Sequence, residues 1–311
     1  MKLNEKLTKN IFVIPLTLLC CFLWGSAFPC IKTGYKLYEI SSDDSASQLL
    51  FAGIRFTLAG IMVIAINSLF SKKIILPEKK NIGIVMKVSL FQTILQYLFF
   101  YLGTARTSGV NSSIIVASNV FFSMIFSTLI FHQEKLKINK IAGCILGFAG
   151  VVVIIAGGGK ISSVMSMKGE GFVLISAVSS SLSTVLMKKY SSKANPVMIS
   201  GYQFFFGGII MAVFGLLFGG KITHITFSGI ILLFYLAVIS SVAYTLWGVL
   251  LKYNPVSKIV VMGFMNPVFG VLLSAIFLGE NKEAFGIYGI AALLLVCIGI
   301  FLVNKEFKKE H

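Results

Sequence analysis

The sequence predicts an all-α integral membrane protein of ten transmembrane helices, arranged as an inverted five-plus-five repeat. Three observations carry that expectation. Of the 311 residues, 57% are hydrophobic and only 12% charged, about half the charged share of an ordinary soluble domain. The apolar residues gather in runs of about 20, the length a helix needs to cross the hydrocarbon core with its backbone groups satisfied. The chain also repeats itself. Gly53-Ile54-Arg55-Phe56-Thr57-Leu58-Ala59-Gly60-Ile61 reads again as Gly201-Tyr202-Gln203-Phe204-Phe205-Phe206-Gly207-Gly208-Ile209, 148 positions on. Ile130-Phe131-His132-Gln133-Glu134 reads again as Ile276-Phe277-Leu278-Gly279-Glu280, 146 positions on.

The expected spans, in order, are 12–34, 48–70, 82–103, 108–131 and 139–157, then 169–188, 196–219, 227–251, 256–278 and 284–303. They divide the chain into a tail (1–11), a first repeat (12–157), a connecting loop (158–168), a second repeat (169–304) and a last tail (305–311). Five crossings is an odd number, so the second copy enters the membrane from the opposite side; inverted repeats of this kind mark secondary transporters. Charge follows the same alternation. With the N-terminus in the cytoplasm, 18 Lys and Arg fall in cytoplasmic segments and 6 outside, while Lys32, Arg55 and Lys87 lie within spans. The net charge of +16 is therefore explained by topology and does not call for nucleic acid. Both termini are expected in the cytoplasm of a multi-pass cell-membrane protein.

The lysine-rich start followed by an apolar stretch and Ser26-Ala27-Phe28 also fits a secretory signal. Removing it would leave nine spans and break the repeat, so it is read as the first span. Lys32 and Lys188 match at an offset of 156, against 148 by the second span. This difference places an insertion of about eight residues within 39–47, expected to be a surface excursion. The cysteines Cys20, Cys21, Cys30, Cys144 and Cys297 all fall in apolar spans without metal-ligand spacing, and read as small buried apolar residues.

Trp24-Gly25-Ser26-Ala27-Phe28 with Lys32, Arg55, Phe131 with Glu134-Lys135-Leu136, Ala243-Tyr244-Thr245-Leu246-Trp247, and Asn266-Pro267-Val268-Phe269 followed by Gly279-Glu280 together resemble the EamA-type transporters of the drug/metabolite transporter superfamily. The resemblance spreads over both halves. It implies ten helices, an inverted five-plus-five repeat, and export or uptake of small metabolites, without naming a substrate. One departure is visible: where the family often carries a proline in the fourth span, this chain has Ser118-Asn119-Val120-Phe121.

Polar groups within spans are costly and usually face the bundle interior or a wet cavity. On that ground the expected substrate-binding residues are Trp24, Phe28, Gln92, Gln96, Asn119, Ser180, Tyr244 and Asn266. Gln92 and Gln96 share one face of span three, with Tyr97 and Tyr101 as a second stripe beside it. Asn119 and Asn266 lie mid-span in inverted halves, and Pro267 frees a backbone carbonyl near Asn266. Packing of the bundle is the competing reading for each. Arg55, Glu134 and Glu280 read as gating or structural charges. Arg55 either snorkels to the headgroups or pairs structurally, or else faces a pathway and meets a substrate carboxylate. All eleven acids lie in tails, loops or span ends, so no mid-membrane carboxylate is available as a proton relay.

The function expected is secondary transport, as exporter or facilitator, of small polar metabolites such as amino acids by alternating access. A lipid-carrier flippase of the same fold and a polytopic membrane enzyme are the alternatives. The enzyme is disfavoured because His132, His224 and His311 are isolated and no nucleophile, metal or phosphate-loop set is present. The expected partners are a small-molecule substrate and the lipid bilayer, with no cofactor, metal, ATP or nucleic acid.

Overall fold

The computed structural model describes residues 3–41, 43–104, 106, 115–158, 166–278 and 287–305. The described chain is helical, with no strand. Its main helices are α1 (Asn10–Leu37), α2 (Ser45–Ser71), α3 (Lys79–Thr104), α4 (Ile115–Ile130), α5 (Ile138–Gly158), α6 (Met167–Tyr190), α7 (Pro196–Leu217), α8 (Phe227–Tyr253), α9 (256–278) and α10 (Ile287–Asn304). Six of these, α1, α2, α3, α6, α7 and α8, are long and apolar enough to cross a membrane.

Local sequence sets the helix ends. Asp44 caps α2 by accepting the Ser47 amide at 2.9 Å, and Lys72 closes that helix in the left-handed conformation. Asn195 caps α7, with Pro196 in the first turn, where its missing amide costs nothing. Three helices are irregular. α3 carries a π segment at Leu90–Leu95. α9 carries a 3-10 segment at Val261–Phe264 just before Asn266. α4 is interrupted at Ser118, whose hydroxyl donates to the Ile115 carbonyl at 2.5 Å. The break in α4 thus needs no proline.

Packing runs in matched sets. α2 lies antiparallel on α7, because Gly53 meets Ala212 while Gly60 meets Phe205. A Cβ on Gly60 would fall on the Phe205 backbone, and one on Gly208 on the Thr57 backbone. Such glycines let helices approach where apolar solvent gives no hydrophobic drive. α5 lies on α10 in the same way, Gly143 against Gly299 and Gly150 against Ala292. α1 packs on α8 and α9, and α6 packs on α3 and α4.

Large apolar side chains such as Phe70, Phe234, Leu294 and Phe301 point outward, while Arg55, Gln92, Gln203 and a set of serines are buried. This is the arrangement of a bundle whose surroundings are lipid. The cysteines differ from expectation in two cases: Cys20, Cys21 and Cys144 are buried, but Cys30 is half-buried and Cys297 is exposed on the outward face of α10.

Candidate functional site

The two ends of the bundle are built differently. One end carries residues 72–78, 131–137, 191–195 and 254–255; side-chain bonds tie its helices together, and a cavity of about 430 Å³ lies there along residues 191–197, Val249, Lys252 and Tyr253. Glu134 sits at its centre. The carboxylate accepts from the Ser127 hydroxyl at 2.8 Å, the Ser257 amide at 2.9 Å and the Ser257 hydroxyl at 2.6 Å, and it pairs with Lys140 at 2.6 Å. Burial pushes this carboxyl up, but the bonds from Lys140 and Ser257 outweigh it and hold it below the usual carboxylate range. Around it, Lys188 donates to the carbonyls of Lys252 and Asn254, Gln133 to that of Val185, and Asn254 to that of Leu7. Asn139 donates to the carbonyls of Leu302 and Lys305, so α10 ends at this end, where the chain before α1 also lies.

The other end holds a cavity of about 390 Å³, bordered by Asp43, Asp44, Leu98, Tyr101, Arg106 and Phe218 among others. Residues 43–46, expected to belong to a surface excursion, instead cap α2 and form part of this mouth.

Below the cavity lies an aromatic column. Tyr101 is 6.3 Å from Tyr97 between ring centroids, and Tyr97 is 4.5 Å from Phe56. Phe56 stacks on Phe204 at 5.2 Å, and Phe204 meets Tyr244 edge-on at 5.0 Å. Tyr244 and Trp247 each stand 4.9 Å from Trp24. The Tyr97 and Tyr244 hydroxyls bond each other at 2.7 Å. These rings come from α1, α2, α3, α7 and α8, so both halves of the chain supply the column.

Arg55 is set into this column. It is 5% exposed, and its guanidinium carbon is 4.4 Å from the Phe56 centroid. It acts electrostatically on the hydroxyls of Tyr35, Tyr97, Tyr101 and Tyr244. No acid pairs with it among the described residues, and its Nε lacks a hydrogen-bond partner. The snorkelling expectation for Arg55 is thereby corrected. The side chain turns into the bundle, where it meets the Tyr97 hydroxyl and has no counter-ion among the described residues. The Trp24 Nε1 and the Gln96 Oε1 are likewise buried without partners, and the Tyr35 hydroxyl stands against that of Tyr101. Gln96 lies beside Tyr244.

The sequence-derived candidates therefore separate. Trp24, Gln96 and Tyr244 come together with Arg55. Gln92 is buried in the π segment of α3. Asn119, Ser180 and Asn266 have no hydrogen bond to the column among the described residues. The Asn119 carbonyl accepts from Ser181, the Ser180 carbonyl from Ser183 and Thr184, and the Asn266 Oδ1 is buried without a partner. The Phe28 side chain and all of Glu280 lie outside the described residues. Sequence reasoning gave Tyr35 no role and named Trp247 only within a motif. The signal for Tyr35 was spacing: it lies 11 residues beyond Trp24, three helical turns on.

A lipid-facing helical bundle that buries one unpaired cation and a set of hydroxyls beneath an open cavity has the build of a membrane solute transporter. The chain belongs to the EamA-like transporter family, which matches residues 11–156 and 167–305. It is 29% identical over 298 residues to the uncharacterized transporter YvbV of Bacillus subtilis, covering 93% of this chain and 90% of that one. It is 25% identical over 298 residues to a "probable amino-acid metabolite efflux pump" of Salmonella typhimurium, covering 92% and 93% respectively. A solved structure superposes with a TM-score of 0.75 at 16% identity, over 93% of this chain and 95% of the other, which is a likeness of fold. Family and relatives are transporters and not enzymes.

Proposed function

We propose that the protein is a secondary transporter of small polar metabolites such as amino acids, working by alternating access. Ten helices in an inverted five-plus-five repeat would carry it, with both termini in the cytoplasm. The observation that carries this reading is that a cavity reaches Tyr101 at one end, while at the other, beside a second cavity along residues 191–197, Glu134 ties α4, α5 and α9 together. We read that as one half of an alternating cycle, with the Glu134 end latched.

The matched packing supports the repeat. α1 on α8 and α9 has its counterpart in α6 on α3 and α4, which is what exchanging the two halves requires. The two family matches fall on the two proposed units. The latched end carries Lys72, Lys73, Lys135, Lys137, Lys189 and Lys193, which favours the cytoplasmic side for it. The efflux relative favours amino acids among the possible solutes.

The test is counterflow in proteoliposomes. Liposomes preloaded with unlabelled amino acids should take up the labelled solute saturably, and liposomes without protein should not. Absence of flux for every small polar solute offered, combined with translocation of a labelled lipid, would transfer the reading to a flippase.

A further inference from the structure

We propose that Arg55, with the hydroxyls of Tyr35, Tyr97 and Tyr101, forms the anion subsite of the transport pathway and takes the carboxylate of a small organic solute. The inference rests on the transport reading and adds the chemistry of its ligand.

A buried guanidinium ordinarily has an acid against it, since an isolated charge taken from water is costly. Arg55 has none among the described residues, although it is 5% exposed. Its near neighbours are aromatic rings and phenols. Phenol oxygens accept hydrogen bonds but do not neutralise the charge. The unpartnered Nε leaves one edge of the planar fork free, and such an edge fits a carboxylate with two parallel bonds. The Tyr35 hydroxyl, which stands against that of Tyr101, belongs to the same cluster.

The repeat sharpens the point. Gln203 stands in register with Arg55, and it is a structural residue. It is fully buried and accepts from Thr93 at 2.5 Å. One copy of this position therefore ties helices together and the other holds a single unspent positive charge, which balances one monoanion.

Access and shape agree. Tyr101 faces both the cavity and Arg55. Arg106 stands at the mouth with Asp43 and Asp44, so the entrance carries both signs. Beyond Arg55 stand Phe56, Phe204, Tyr244 and Trp24, packed ring against ring, an apolar neighbourhood that suits the body attached to the carboxylate once the rings part. The unpaired Gln96 Oε1 is an acceptor in the same column.

The chain has 2 tryptophans, and both stand in the column, so intrinsic fluorescence reads this site. The probes are the apolar and aromatic L-amino acids other than tryptophan, each compared with its neutral amide, on the full chain in phosphatidylcholine nanodiscs. The expected result is a fluorescence change with the acid and binding of the amide weaker by about tenfold or more. Arg55→Gln should bring the acid-to-amide ratio near one, and Arg55→Lys should keep part of it. The acid-to-amide comparison on the unaltered protein stands even if a variant fails to fold. Equal binding of acid and amide, an unchanged ratio in Arg55→Gln, or no binding of any acid overturns the proposal. Counterflow of neutral or cationic solutes alongside such a result would leave the transport reading intact. Competition by phosphatidylglycerol would give the subsite to a lipid phosphate and also overturn it.

Discussion

Replacing Glu134 by Gln tests the latch. The carboxylate receives two donors on each oxygen: Ser127 and the Ser257 amide on Oε1, Lys140 and the Ser257 hydroxyl on Oε2. An amide can keep only one of these oxygens. With Oε1 kept, the new NH2 faces the Lys140 ammonium, so that charge-assisted bond is lost, while the Ser257 hydroxyl can turn and accept from the NH2. Each such bond is worth about 1.5–3 kcal/mol. Lys140 is 12% exposed at its side chain and regains part of that loss by turning to water, which leaves a net of about 2 kcal/mol. Opening of this end should then rise about thirtyfold. The Ser257 amide is itself one of the donors, so its hydrogen exchange reports the opening without labels. Exchange of the segment spanning Ser257 should accelerate by that factor, while helices remote from this end keep their protection. Unchanged exchange in a variant that melts as the parent does would show that Glu134 does not hold the end shut. The same bonds set the pH response. Because they hold the Glu134 carboxyl below the usual range, the latch is fully formed at neutral pH. It is lost only as pH falls through that lowered value, so protection of Ser257 should be flat from pH 8 to about pH 5 and decline in acid.

Reporter fusions after Ser192 and after Lys282 should label inside and outside respectively; the same side for both would end the inverted-repeat reading. Gly60→Leu should lower the melting temperature more than Gly83→Leu, because a Cβ at Gly60 meets the Phe205 backbone and one at Gly83 meets nothing within 4 Å; overpacking of this kind costs about 1–3 kcal/mol, and equal melting would refute the close α2–α7 contact. With no carboxylate in the interior of any expected span, Glu170 lying in the first turn of the sixth, a pH gradient imposed at zero membrane potential should not drive solute uphill in proteoliposomes. Accumulation that vanishes in Glu134→Gln or its Glu280→Gln counterpart, with the protein still folded, would count against that.

The helices were legible because lipid demands apolar runs of fixed length, and composition alone reveals those. The pairing of α2 with α7 was only half legible. The Gly-Phe-Gly-Ile repeat marks Gly53, Gly60, Gly201 and Gly208 as equivalent, but repeat equivalence does not say that equivalent helices touch. Arg55 shows a different limit. A cation about two turns from a membrane surface can reach water by straightening its stem, and sequence does not record which way the stem points. Burial decides it. The cavity mouth at Asp43 and Asp44 was missed for a related reason: a short polar insertion reads as surface whether or not it lines an opening. Asn119, Ser180 and Asn266 were chosen by depth in the membrane, and depth does not tell which face of a helix is turned to the column.

Most bonds at the latched end run from a side chain to a main-chain carbonyl: Lys188 to Lys252 and Asn254, Asn139 to Leu302 and Lys305, Gln133 to Val185, Asn254 to Leu7. Every residue type has that carbonyl. The receiving positions are therefore free to drift in evolution without opening the gate, and selection at this end falls on a handful of donors. Homologues that keep Gln133, Asn139, Lys188 and Asn254 while varying Val185, Lys252, Leu302 and Lys305 would carry the mark of a closure written into the backbone.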